Sequence, residues 1–145
     1  MTITIPHPTD AGFEKAYGEA WTSDPVRLLD FFTPDGTYTD VAMNTTYTGR
    51  GEIGRFHRWM LKFAPDSVID FSDACANDGQ VYLQWIWSGT FHGALRLADG
   101  KTLEPTGRAF SVPGVAACRY GTDGKLLSHR DYWDLATVLR QVEGP

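Results

Sequence analysis

Apolar residues recur at helical spacing early in the chain and alternate at strand spacing later. Phe13, Ala16, Tyr17, Ala20 and Trp21 follow the i, i+3, i+4, i+7, i+8 stripe of an amphipathic helix, and Asp10 stands where it can cap it. Asp24 followed by Pro25 reads as the N-cap and first position of a second, short helix through Phe32. Thr33-Pro34-Asp35-Gly36 reads as a turn and Thr37 to Val41 as a short β run. Tyr47-Thr48-Gly49-Arg50-Gly51 breaks the chain before a third helix. Its stripe is Ile53, Phe56, Trp59, Met60 and Phe63, and it stops ahead of Pro65.

Beyond Pro65 the pattern changes period. Ser67 to Ala76 reads as one strand, and on the next Val81, Leu83, Trp85 and Trp87 alternate with Tyr82, Gln84, Ile86 and Ser88. A third strand runs from Arg108 to Tyr120, with Pro113-Gly114 read as a bulge or sharp bend. Gly121-Thr122-Asp123-Gly124 reads as a hairpin turn into a last strand, Lys125 to Trp133, after which Asp134 caps a helix over Leu135 to Val142. Helices followed by long strands predict an α+β fold, with helices on one face of a curved antiparallel sheet and a concavity able to hold a small ligand. The 145 residues fit one domain, with 1–9 as a loose tail that includes His7.

Charge and composition narrow the function. Thirteen Lys and Arg against eighteen Asp and Glu leave a net charge of −5, which disfavours nucleic acid as a partner. The longest apolar runs are a few residues, against the roughly 20 needed to span a bilayer, and no signal-peptide pattern opens the sequence. Cys75 and Cys118 make no disulfide framework and no metal-type spacing. The expectation is a soluble, cytoplasmic protein with reduced cysteines. Phosphate loops, His-x-x-x-His and Gly-x-Ser-x-Gly are missing from the sequence, so no metal or other cofactor is implied. Eight Phe, six Tyr and five Trp supply ring surface for a thick core or a cavity wall.

The last strand carries the most informative chemistry. Alternation puts His129, Asp131 and Trp133 on one face, opposite Arg130 and Tyr132. A carboxylate between an imidazole and an indole on an inward face is a candidate acid/base; the competing reading is a solvated face or a simple His129–Asp131 pair. Asp40, with Tyr17 on the first helix, is a second candidate: a carboxylate to take a proton and a phenol to stabilise the oxyanion. The competing reading makes Asp40 a common strand-end residue and Tyr17 a core ring.

Phe31-Phe32-Thr33-Pro34-Asp35-Gly36, Tyr47-Thr48-Gly49-Arg50, Pro105-Thr106-Gly107-Arg108, Gly124-Lys125-Leu126 and Arg130 through Thr137 are in an order and spacing that resembles the SnoaL-like polyketide cyclase branch of the nuclear transport factor 2-like superfamily. The resemblance covers about Phe13 to Glu143. It implies a cone-shaped α+β barrel with a deep hydrophobic pocket, commonly a homodimer, and leaves the reaction open because the fold hosts several chemistries. Asp131 falls where SnoaL-like cyclases have their acid/base. Limonene epoxide hydrolases also have an Asp at this position, but Trp85-Ile86-Trp87 stands where they have Arg-x-Asp, and His129 where they have Trp. Asp40 matches the proton-abstracting Asp of ketosteroid isomerases; Tyr17 lies one residue from their oxyanion-binding Tyr, and Ala116 replaces their second donor.

The combined expectation is an enzyme acting on a hydrophobic, oxygenated small molecule of polyketide, terpenoid or steroid type. It works by cyclisation, isomerisation or dehydration without a cofactor. Asp131 is the principal acid/base, His129 tunes it or relays protons, and Asp40 with Tyr17 forms a second polar pole. Trp133, Trp85, Trp87, Phe56 and Trp59 line the substrate site, with Phe91 as a further wall residue. A non-catalytic binding or dimerising domain and an epoxide-opening enzyme are the alternatives. Tyr82, Ile86, Arg130 and Tyr132 are the candidate homodimer face.

Overall fold

Among the described residues, four helices and eight strands follow one another in the order that strand and helix periodicities lead one to expect, with three short strands added. The computed structural model describes residues 5–143. Helices α1 (Phe13–Ser23) and α2 (Pro25–Asp30) lead into β1 (Phe32–Asp40) and β2 (Thr45–Thr48), and α3 (Gly49–Phe63) precedes β3 (Val68–Asn77) and β4 (Gln80–Thr90). A small hairpin, β5 (Leu95–Arg96) and β6 (Thr102–Leu103), comes before β7 (Ala109–Tyr120), β8 (Leu126–Trp133) and α4 (Leu135–Val142). The main sheet has the order β2-β1-β8-β7-β4-β3. It is antiparallel except for β1 and β8, which run parallel.

A bulge curves the sheet, and a glycine lets the first helix close on it. In β3 the register with β4 shifts between Ser72 and Cys75, where Asp73 adopts a φ of 54° and the freed Ala74 N–H donates to Glu14 of α1 at 2.8 Å. Such bulges bend a strand and increase its twist. At the crossing of α1 over β3, a Cβ on Gly18 would lie 3.0 Å from the Ile69 carbonyl oxygen, so the helix seats this closely only because the position is glycine. The core between helices and sheet takes Phe13, Tyr17 and Trp21 of α1, Ile53, Phe56 and Met60 of α3, and the inward residues of β4 and β7.

Local signals hold in part. Asp24 accepts from the Arg27 N–H, and Asp134 accepts from the Ala136 N–H, so both caps form as read. Asp10 does not cap α1: Gly12 is the N-cap, and the Asp10 carboxylate turns back to the His7 N–H at 2.9 Å. The α2 helix ends two residues before Phe32, because the Leu126 N–H takes the Phe31 carbonyl at 2.7 Å and draws the chain into the sheet. Thr33-Pro34-Asp35-Gly36 is an irregularity inside β1 rather than a separate turn. Pro113-Gly114 is not a bulge, since β7 stays in unbroken register with β4 through both residues.

Of the stretch expected as a loose tail, residues 1–4 lie outside the described residues. Pro8 is buried, and the His7 ring meets Tyr120 edge-on at 5.2 Å. Cys75 and Cys118 are free. No helix among the described residues is long and apolar enough to cross a membrane.

Candidate active site

The parallel pairing of β1 with β8 assembles the site. It sets Tyr38 beside His129 and Asp40 beside Asp131, and the two-residue period turns all four toward the inside of the cone. Trp133 follows on the same face of β8. All five line one apolar cavity, whose space is about 670 Å³ when the open solvent at its mouth is counted; concave apolar sites of this kind are where small molecules bind.

Asp131 sits in a ring of donors. His129 Nε2–H at 2.6 Å and Trp85 Nε1–H at 3.0 Å reach its Oδ1, and the Tyr38 hydroxyl donates to Oδ2 at 2.5 Å. Three donors and no acceptor make the setting of an ionised carboxylate. The Trp85 indole reaches it by crossing β7 at Gly114, the residue paired with Trp85 on one side and Trp133 on the other. A Cβ there would come 2.2 Å from Trp85 Cζ2, so glycine makes the contact possible. Ala116, paired with Asp131, is buried and offers no donor.

His129 is 1% exposed. Burial alone would pull its pKa down, but the Asp131 carboxylate, with the Cys118 sulfur adding to it, outweighs burial and pushes it up to about 10. The imidazolium then donates from Nε2 to Asp131 and from Nδ1 to the Tyr17 hydroxyl oxygen, 2.7 Å away. Burial, helped by the charges of Asp131 and Asp40, holds the Tyr38 phenol well above its usual range, so it stays a donor.

Asp40 has a different environment. It is 4% exposed and its Oδ1 accepts from Trp133 Nε1–H at 2.8 Å and from the Met43 N–H at 3.2 Å. Burial raises its pKa, and these hydrogen bonds only partly oppose the rise.

The strand-face expectation for His129, Asp131 and Trp133 therefore matches the geometry, and Trp85, Trp87, Phe56 and Trp59 also line the cavity. Tyr17 is not paired with Asp40. Its hydroxyl joins His129 behind the cavity, completing a Tyr17–His129–Asp131–Tyr38 chain. Phe91 packs in the core and does not line the cavity. Tyr38, Trp21, Met43 and Leu95 line it without having been singled out; for Tyr38 the signal was present, two residues before Asp40 on a β run. His57 donates to the Trp21 carbonyl at 2.7 Å, and burial holds its pKa down, a structural arrangement.

Comparison with known proteins places this geometry. Solved structures of the same fold include a ketosteroid isomerase-like protein of Catenulispora acidiphila DSM 44928 in complex with trimethylamine: 26% identity, TM-score 0.76, covering 98% of this chain and 96% of that one. A candidate SnoaL-like polyketide cyclase of Jannaschia sp. CCS1 shares 16% identity at a TM-score of 0.71, over 91% and 92% of the two chains. AclR, a candidate hydroxylase of Streptomyces galilaeus, shares 20% at 0.70, over 90% and 96%. No curated protein matches the chain. The sequence pattern of the SnoaL-like polyketide cyclases, however, fits residues 12–142, almost the whole of the described chain and all of the strands that build the cavity. The protein is accordingly a member of the SnoaL-like polyketide cyclase family.

Proposed function

We propose that the protein is an enzyme that cyclises, isomerises or dehydrates a hydrophobic, oxygenated small molecule by general acid/base catalysis. The observation that carries this reading is Asp131: a carboxylate on the wall of an apolar cavity, with an imidazole bonded behind it. Asp131 takes the proton from a carbon activated by a neighbouring carbonyl and returns it after ring closure or double-bond migration. His129 stabilises the carboxylate, and Tyr17 orients the imidazole from Nδ1. Asp40 forms the opposite polar pole and fixes the substrate's orientation. Trp133, Trp85, Trp87, Phe56 and Trp59 give the site its preference for apolar, ring-bearing molecules.

The epoxide-opening alternative has less support, because two indoles stand where that chemistry needs an Arg-x-Asp pair. The trimethylamine in the Catenulispora acidiphila protein supports a cavity of this fold accepting small organic ligands. The exposed residues Tyr82, Ile86, Arg130 and Tyr132 support a homodimer built on the outer face of the sheet.

The test is exchange of α-protons of cyclic ketones and enones with solvent deuterium, followed by NMR. The protein accelerates exchange of at least one such compound, and Asp131→Asn lowers the rate about 10²–10⁴-fold while its thermal melt stays cooperative. Equal rates for the two proteins remove Asp131 from the mechanism. A cavity that binds such compounds without any exchange assigns the protein to ligand binding instead.

A further inference from the structure

The cavity wall is aromatic and acidic together, with no lysine or arginine on it. Its two carboxylates are not equivalent. Asp131 has His129 as its cationic partner at 2.6 Å, whereas Asp40 forms no ion pair among the described residues. Asp40 accepts through Oδ1 from the Trp133 indole and the Met43 N–H, with the Ala42 N–H also turned toward the carboxylate; its Oδ2 takes no side-chain hydrogen bond among the described residues, although the residue is 4% exposed and lines the cavity. A carboxylate removed from water without a counter-charge is costly. Within this protein the cost is only partly met, as the raised proton affinity of Asp40 shows.

The surroundings of that free oxygen select one kind of counter-charge. The Trp133 and Trp87 rings stand at 83° with centroids 6.0 Å apart, and both line the cavity. Indole faces attract organic cations and bind no metal ion, and right-angled aromatic walls are a recurrent way of holding alkylated ammonium groups. A primary ammonium would leave donors unsatisfied against these rings, since the polar groups beside Asp40, Asp131 and the Tyr38 hydroxyl, are already engaged with each other and with His129 and Trp85. A tertiary or quaternary ammonium has few donors or none, and loses least.

We propose that the substrate carries a compact organic cation, a protonated tertiary amine or a quaternary ammonium, seated against Asp40 Oδ2 and the indoles of Trp87 and Trp133. The inference rests on the cavity being the substrate site and adds the charge of the substrate. It also divides the labour between the carboxylates: Asp131 exchanges the proton and Asp40 anchors the cation.

The experiment compares choline with 3,3-dimethylbutan-1-ol, its uncharged isostere, by calorimetry and tryptophan fluorescence on the full chain. Choline binds about tenfold more tightly than the isostere, the ratio expected of a cation over indole. Asp40→Asn brings the two ligands to about equal affinity, and Asp131→Asn preserves the preference. Trp133→Phe reduces choline binding more than isostere binding, which keeps the test decisive if Asp40→Asn folds poorly. Equal binding of the two ligands by the unmodified protein, no saturable choline binding, or a choline preference that survives Asp40→Asn overturns the proposal. Deuterium exchange blocked by Asp131→Asn stands whatever choline does, so the two readings fail separately.

Discussion

His129 Nε2 lies 2.6 Å from Oδ1 of Asp131, two residues further along the same strand, and the imidazole of this pair is almost entirely hidden from solvent. The pair is thus an ion pair on the wall of an apolar cavity, and its charge state is linked to the stability of the fold. The folded protein holds the His129 proton up to about pH 10, against 6.5 for an unperturbed histidine. The folded state therefore binds more protons than the unfolded state between these values. The contribution is complete below pH 6.5 and is lost as pH rises through about 10. Urea unfolding at a series of pH values should show stability declining across that window, and His129→Gln should flatten the decline. Stability independent of pH over that range would place the proton elsewhere.

Gly114 gives a second test, because its missing side chain is filled by another residue's ring. A Cβ at position 114 would overlap Trp85 Cζ2 at 2.2 Å, and the neighbouring backbone is in regular register on the β4 side and the β8 side alike. Gly114→Ala must push the indole off β7 and withdraw Nε1 from Asp131. The expected outcome is a loss of about 1–3 kcal/mol in stability, the usual range for overpacking a core, together with slower deuterium exchange. A melting curve and an exchange rate both unchanged would mean that the Trp85–Asp131 hydrogen bond does not contribute.

How far the site was legible depends on which contacts a sequence can encode. Alternation along one strand is local, so His129, Asp131 and Trp133 were readable as a shared face, and Trp85 with Trp87 likewise. The pairing of strands distant in the chain is not local. Tyr38 sits 93 positions from Asp131, and only the parallel β1–β8 register brings them together. Tyr17 meets His129 rather than Asp40 for the same reason: the packing of α1 on the sheet brings its hydroxyl to an imidazole 112 residues away. Pro113-Gly114 holds no bulge: a glycine inside a strand signals either a bulge or a close approach, and here the approaching group is the Trp85 indole. Asp10 looked like a cap on spacing alone, but its carboxylate is taken by the His7 N–H.

The outer face of the sheet leads to a prediction about assembly. Tyr82, Ile86, Val115 and Tyr132 are all exposed on β4, β7 and β8, an apolar surface of the kind that a second chain covers. Light scattering at micromolar concentration should give the mass of two chains, and Ile86→Lys should convert it to one. A monomeric mass for the unmodified protein would remove the homodimer.

Asp40 supplies the last prediction, in which function and stability oppose each other. Its carboxyl holds its proton to a higher pH when folded than the 3.8 of an unperturbed aspartate, chiefly because it is buried. The folded state then binds the extra proton, so stability falls as pH rises from 3.8 through the raised value, and the ionised group is a net cost at neutral pH. Asn at this position keeps an oxygen to accept from the Trp133 indole and the Met43 N–H while removing the charge. Asp40→Asn should therefore be more stable than the unmodified protein at pH 7, by about 0.5–2 kcal/mol, and should lose the acid-side slope of the stability curve. The same substitution should weaken cation binding, as expected of a residue kept for its ligand at the expense of the fold. If denaturation shows Asp40→Asn less stable at neutral pH, a counter-charge for Asp40 already exists within the chain, and the cation site is not needed.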